Sequence, residues 1–397
     1  MFEIIIFILI GCILGIITGL TPGIHINLVS AIIVSLLPFL LKYISNLNII
    51  IIIISMAVIH AFLNSIPSIF LGAPSPDSAI IILPAHKLLL KGKAHEAVIL
   101  TLIGTLGSII LTTSLIPLLI FILPKFYLLT KPYIAYILIS ASIILILKEK
   151  KRLLNFIIFI LAGTLGLIVL NIPNIKEPLL PLLSGLFGLS SLILSIKNNT
   201  KIPEQKTKEI KIKTSKLKYI IIGVISGILS SFFPGLGSSQ ISALSSSLIK
   251  KVETKDYIIL NSTITSTNMI GSFIALYAIN KGRSGTAVAI SRILENFSLT
   301  NFLLIISVIL ITTFIATLLT INFSKIFSRL ITKINYKTLC ILIIFLIASL
   351  VLLVSKPIGL LVLFISTNLG IFTQLKEINK NLLMGCLIIP VILFFLL

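Results

Sequence analysis

The chain has 397 residues, 57% of them hydrophobic and 11% charged, with a mean hydropathy of +1.20 and a formal charge of +21. So much apolar surface has no place in a soluble core of this size, which excludes an ordinary soluble domain and indicates an integral membrane protein. Nor does the charge indicate nucleic acid: Lys and Arg sit in short connectors such as residues 148–152, as flanks of membrane helices do, and not along one amphipathic face.

Apolar runs long enough to cross a bilayer follow one another from Ile4 to Leu397, about ten to thirteen in all, which predicts an all-α polytopic, multi-pass protein of the cell membrane. The first run lacks a basic n-region and a small-residue cleavage site, so it is expected to be retained and not removed as a signal peptide. It is interrupted at once by GLTPGIHINLVS, residues 19–30. Residues 11–37 overlay residues 223–249 at a constant offset, which sets Gly11, Gly15, Pro22, Gly23, Ser30 and Ala31 on Gly223, Gly227, Pro234, Gly235, Ser242 and Ala243. Two later echoes, Leu-Asn-Ser at residues 63–65 and 260–262 and KGKAHEAV at 91–98 against KGRSGTAV at 281–288, follow in the same order with smaller offsets. The expected organisation is a first membrane repeat over 1–196 and a second, inverted, over 219–397. Between them, residues 197–218 carry eight Lys against two Glu. This stretch is expected to be a cytoplasmic linker, too polar to pack.

A helix broken within the membrane leaves N–H groups unpaired at the start of its second part, and these, with the positive end of the helix dipole, form an anion site. Pro22 and Pro234 would stop the preceding helices, while Gly23 and Gly235 would let backbone approach a ligand. His25 and Asn27 follow the first break; Gly237, Ser238, Ser239 and Gln240 follow the second and add side-chain donors. The alternative for either break alone is a simple proline kink. Paired breaks in two related halves point instead to a secondary transporter with its substrate between the repeats.

In the first half, Asn64 and Ser65, candidates for substrate, open a segment with Pro67, Pro74, Pro76 and Pro84, which reads as a re-entrant or broken stretch. Asp77, the sole carboxylate between Glu3 and Glu96, is a candidate cation ligand or proton carrier, or else a loop-tip aspartate capping the run that follows. His60, His86 and His95 match no metal-ligand spacing. In the second half, NSTITSTNMIGS at 261–272 is too rich in hydroxyls and amides to face lipid. Asn261, Ser262 and Thr263 are candidates for substrate, and Thr265 and Asn268 for a coupling cation, the alternative being helix packing through small polar residues. Arg292 and Glu295 read as an i, i+3 ion pair near a membrane end. Cys12, Cys340 and Cys386 stand singly in apolar runs and suggest neither disulfide nor metal.

The Gly-x-x-x-Gly approach to Pro-Gly-Leu-Gly at 227–237, with the Pro-rich stretch 64–98 leading into Lys91, Gly92, Ala94 and Ala97, resembles the large membrane subunit of tripartite tricarboxylate transporters, the TctA family, over residues 11 to about 290. The chain resembles a short, stand-alone member. The resemblance implies uptake of small carboxylates driven by an ion gradient of Na⁺ or H⁺, with no other cofactor. It also implies a small membrane subunit and an extracytoplasmic binding protein as partners. The alternative is a translocator of lipid-linked phosphates such as polyprenyl phosphate, whose head group suits the same N–H cradle. A membrane-embedded enzyme is not expected: no HExxH, GxSxG or paired membrane carboxylates occur.

Overall fold

A computed structural model describes the chain except residues 1, 23–25, 73–81, 148–150, 174, 198–201, 208–215, 234–236, 250–251, 295–296 and 334. In chain order the helices are α1 Phe2–Leu20, α2 Ile26–Ser35, α3 Leu37–Leu40, α4 Asn46–Leu63, α5 Ile82–Leu89, α6 Ala94–Ser114, α7 Ile116–Thr130, α8 Ile134–Leu147 and α9 Arg152–Leu170. They continue as α10 Leu179–Leu183, α11 Ser190–Lys197, α12 Leu217–Phe232, α13 Ser238–Leu248, α14 Thr254–Ile279, α15 Gly285–Ile293, α16 Leu299–Leu330, α17 Tyr336–Leu375 and α18 Gly385–Leu396. Among the described residues there is no strand. Among the described residues eight helical stretches are long and apolar enough to cross a membrane, so the fold is that of an all-α multi-pass membrane protein. The count is below the ten to thirteen expected from hydropathy for two reasons. α12 and the stretch Lys380–Leu396 are shorter than a full span. α17, counted once, is broken at Lys356, whose φ of 60° precedes Pro357.

Two helix pairs organise the centre. α1 lies on α4 through Gly11 and Gly15, where a Cβ would stand 2.6 Å from the Cβ atoms of Ser55 and Ile59. α12 lies on α14 through Gly223 and Gly227, where a Cβ would stand 2.6 Å and 2.5 Å from the Cβ atoms of Thr263 and Thr267. Small residues let backbones approach, and in lipid that close packing drives helix association. Contacts advance in the same sense along both members, so each pair is parallel. A polar tie fixes each pair's start: Asn48 Nδ2 donates to Glu3 Oε1 at 2.7 Å in the first, and Lys216 pairs with buried Asp256 in the second.

Parallel neighbours require the chain between them to return. α2 with α3 does this in the first half and α13 in the second; α13 runs back against α12 and α14, whereas α2 packs chiefly on α15 and only touches α4. The third helix is exchanged. α6, from the first half, packs on α14, with Thr263 Oγ1 donating to the Gly104 carbonyl at 3.1 Å and Ser108 bonded to Thr267 at 2.7 Å. α16, from the second half, packs on α4, with Thr312 Oγ1 3.4 Å from Ser55 Oγ and Phe327 against Phe70 at 5.9 Å between ring centroids. His95, at the start of α6, bonds Ser324 near the end of α16 at 2.8 Å. The α1–α4–α16 group therefore runs opposite to the α12–α14–α6 group, the relation that inverted repeats require.

Burial follows from this arrangement. Asn48 through His60 of α4 are all buried, which explains an isoleucine run with no polar face. α14 is buried nearly as completely while carrying the hydroxyl and amide cluster, so its polar groups face protein. Ile13, Phe121, Phe314 and Leu353 are exposed on the periphery, the surface a lipid environment would cover.

Within the linker, residues 202–207 are described; Pro203, Glu204, Lys206 and Thr207 are exposed, yet the segment is tied to the corner between α5 and α6: Gln205 Nε2 donates to the Leu89 carbonyl, Gln205 Oε1 accepts from Ala94 N at 3.0 Å, and Lys206 N donates to the Gly92 carbonyl at 2.8 Å. Charge count alone missed this because the bonds are made by backbone and by one amide. Gly92 is required at that corner, with φ +73° and the Glu204 carbonyl 2.5 Å from where a Cβ would be.

Candidate functional site

The first break ends α1 after Leu20, with Thr21 and Pro22 in a turn and Pro22 half-buried. Gly23 and His25 lie outside the described residues, as do Pro234, Gly235, Asp77 and Glu295. Asn27 stands in the first turn of α2. At the second break Phe232 ends α12 and Gly237 begins α13 as its N-cap residue, with φ −81°. Ser238, Ser239 and Gln240 form the first turn of α13 and all three are buried. Gln240 folds back over its own helix start, so a Cβ at Gly237 would stand 2.7 Å from Gln240 Oε1.

The breaks fall short of the far ends of their partners. Gly19 lies beside His60 and Leu63, a Cβ there standing 3.0 Å from Leu63 Cβ, whereas α4 continues through Asn64 and Ser65 into a π-helical turn, Pro67–Leu71, closed by Gly72 at φ 67°. Ser231 lies against Gly271, and α14 runs on to Ile279. Each partner thus extends eight residues, about 12 Å, past its break. The two Leu-Asn-Ser triplets are not in corresponding places, for residues 63–65 close α4 while residues 260–262 sit early in α14. The Lys-Gly echoes differ likewise: 91–93 lead into the 21-residue α6, and 281–283 into the nine-residue α15. Insertions of unequal length between the landmarks produced sequence matches that the packing does not follow.

The polar stretch of α14 divides by face. Ser262, Thr263, Ser266 and Thr267 point at α6 and α12, and their hydroxyls are spent on carbonyls and on Thr105 and Ser108. This is the packing role that small hydroxyl residues play in membrane bundles. Asn261, Thr265 and Asn268, spaced i, i+4 and i+7, make a third face. There Asn261 Oδ1 and Thr265 Oγ1 are buried and make no hydrogen bond. Ser30 in α2 and Ser242 in α13, which coincide in the overlay of the two breaks, are each 0% exposed, and each has a hydroxyl with no partner. A buried, unbonded hydroxyl or amide oxygen costs about 1–3 kcal/mol. In a helix such hydroxyls ordinarily bond the carbonyl one turn back, as Thr263 and Ser191 do.

α2, which carries Ser30, touches α4, and α13, which carries Ser242, packs on α14. α15 joins the two groups, since it packs on α2, α4 and α14. Ser30 and Ser242 were visible in the sequence only as matched letters; the signal that would have singled them out is a hydroxyl kept at one position after both breaks. Among the described residues no cluster of His, Cys, Asp or Glu suits a metal. All three cysteines are free and buried. His86 bonds Tyr336 through Nε2 at 2.8 Å, and Lys380 Nζ bonds Ser191 Oγ at 2.8 Å. Burial first, and the Lys380 charge second, push the His86 imidazole down to about 4.

Comparison with known proteins adds three findings. The family model described as "Tripartite tricarboxylate transporter TctA family" matches residues 5–385. The chain is 30% identical over 405 aligned residues to the uncharacterized protein MJ1079 of Methanocaldococcus jannaschii, covering 99% of both chains. No solved structure matches.

Proposed function

The chain belongs to the tripartite tricarboxylate transporter TctA family, and from that premise we propose that it is a secondary permease that binds a small di- or tricarboxylate at its paired helix breaks and couples its movement to an ion gradient. The observation that carries this reading is the pair Ser30 and Ser242, two buried hydroxyls without partners at matched places on the half-helices that follow the breaks. A protein keeps such groups unbonded where a ligand supplies the missing bond. Half-helix N-termini directed into the protein offer N–H groups and dipole to a carboxylate. The neutral oxygens Asn261 Oδ1 and Thr265 Oγ1 suit a dehydrated Na⁺, which unwound or buried oxygens coordinate in transporters of this type. Repeat boundaries at 1–196 and 219–397 belong to the same proposal, with α6 and α16 exchanged between the halves. A small membrane subunit and an extracytoplasmic binding protein are the partners the family relation suggests for this chain.

Uptake in proteoliposomes tests the reading. Radiolabelled citrate should accumulate under an inward Na⁺ or H⁺ gradient, and Gly23→Val or Gly235→Val should abolish it while each variant still elutes as a folded protein. Unchanged uptake by both variants would sink the proposal. Thermal stabilisation by polyprenyl phosphate, with none by citrate, succinate or malate, would move the assignment to lipid-linked phosphates.

A further inference from the structure

The connector between α14 and α15 holds two cations on one tyrosine. Lys281 Nζ lies 3.4 Å from Tyr127 Oη and 5.1 Å from the ring centroid, and the Arg283 guanidinium carbon lies 5.4 Å from the same centroid. Arg283 Nε and Nη2 are buried and have no hydrogen-bond partner. A guanidinium stays charged at any physiological pH and has no acceptor of its own, so its buried donors call for an anion. Yet among the described residues neither Lys281 nor Arg283 forms an ion pair. Immediately after them α15 begins, with Ser284 Oγ accepting from Ala287 N. The N–H groups of Gly285 and Thr286, which open that helix, have no intrahelical partner. Gly282 packs on the same first turn, 2.9 Å from Val288 N to the position of a Cβ, so the backbone that carries the two cations abuts the helix start.

A corner of like sequence in the first half shows what closure looks like. There Lys93 faces Glu96 at 3.8 Å, Lys255 pairs with the same carboxylate, and Gln205 of the linker accepts from the first helical N–H of α6. In the sequence echo Glu96 is replaced by Thr286, so the second corner lacks its internal counter-charge. The two corners also face opposite ways. α14 starts beside Lys216 and Lys255 at the linker end, and 26 residues at 1.5 Å each place its last turn about 39 Å away.

We propose that Arg283, Lys281 and the start of α15 form a second anion site, distinct from the helix breaks, which receives small di- and tricarboxylates on the face opposite the linker before they move inward. The inference rests on the reading of the protein as an anion permease. A free carboxylate in solution is the intended occupant, since the two cations and the helix start together match a multiply charged small anion.

The chain contains no tryptophan, so Tyr127→Trp places a single fluorophore at the site. Citrate titrated onto the purified full-length Tyr127→Trp protein should change its emission saturably, and addition of Arg283→Gln should weaken that response at least tenfold. Gly235→Val in the Tyr127→Trp background should leave it in place. Should tryptophan at 127 prevent folding, the citrate-induced shift in melting temperature is compared between wild type and Arg283→Gln, with a reduced shift expected. A citrate response that is unaltered by Arg283→Gln overturns the corner site and leaves the permease reading standing. Loss of the response in Gly235→Val also overturns it, because the citrate would then be bound at the break. Absence of any citrate effect on fluorescence, melting or uptake overturns both.

Discussion

In the first half α1 rests on α4 through Gly11, Gly15 and Gly19, which meet the side chains of Ser55, Ile59 and Leu63 and the backbone of Ile52, Met56 and His60. In the second half α12 meets Thr263 and Thr267, and the small residue of the third contact has changed sides, with Ser231 on α12 and Gly271 on α14. The two seams share one glycine spacing, and the second helix pair adds a bonded face: Thr263 and Thr267 turn Cβ and Cγ2 to α12 and their hydroxyls to α6. In lipid an apolar contact gains nothing over the surrounding tails except fit, whereas a hydroxyl contact gains bonds but must satisfy every one of them. The first pair depends on shape. The second fits by shape as well, and it is toward α6 that α14 must match donors to acceptors; on its remaining face the oxygens Asn261 Oδ1 and Thr265 Oγ1 stay unbonded.

The largest test attacks shape. Gly11→Leu would drive its Cβ to 2.6 Å from Ser55 Cβ and 2.7 Å from the Ile52 carbonyl, at a cost of more than about 3 kcal/mol, and overpacking of that size against backbone should remove the monodisperse peak on size exclusion. Gly223→Leu should do the same, and a folded Gly11→Leu protein would show that the α1–α4 seam is looser than described. Next comes the contrast between bonded and unbonded hydroxyls. Ser242→Ala should leave melting unchanged or raise stability by up to about 1 kcal/mol, because nothing is lost with that hydroxyl, yet citrate uptake should fall roughly tenfold, the equivalent of about 1.4 kcal/mol. Equal losses of stability and uptake would count against a ligand at Ser242. Thr263→Val has the opposite signature: loss of the bond to the Gly104 carbonyl should cost about 1 kcal/mol of stability, with the KM for uptake unmoved.

The smallest effect lies outside both pairs. Burial holds the His86 imidazole down at about 4 against an ordinary 6.5, so the unfolded chain takes up a proton where the folded one does not. Stability from this group is complete above pH 6.5 and is lost as pH falls toward 4. Between pH 7 and pH 6 the melting curve should record a loss of about half a kcal/mol, and His86→Gln should flatten it.

Much of the fold was legible because membrane physics writes it in bulk: composition indicated the class, and the overlay of residues 11–37 on 223–249 marked the glycines that seat α1 and α12 and the stretches between Leu20 and Ile26 and between Phe232 and Ser238, where described helices end and resume. The later landmarks misled, since Leu-Asn-Ser and the Lys-Gly corner repeat as short strings while the packing repeats through Ser55 and Thr263, and Ile59 and Thr267, which share no letters. For the candidate site, the polar richness of 261–272 was plain, but only the helix geometry assigns Ser262 and Thr263 to packing and leaves Asn261 and Thr265 unspent. The docking of Gln205 on Leu89 and Ala94 left no trace in charge or hydropathy, for a single amide carries it.

The exchange of α6 and α16 has a consequence for how the molecule is made. While the ribosome is still adding residues beyond 298, Ser55 of α4 has been inserted but the helix that contributes Thr312 has not been synthesised. The first three-quarters of the chain therefore waits in the bilayer as an open clasp, and the last quarter closes it.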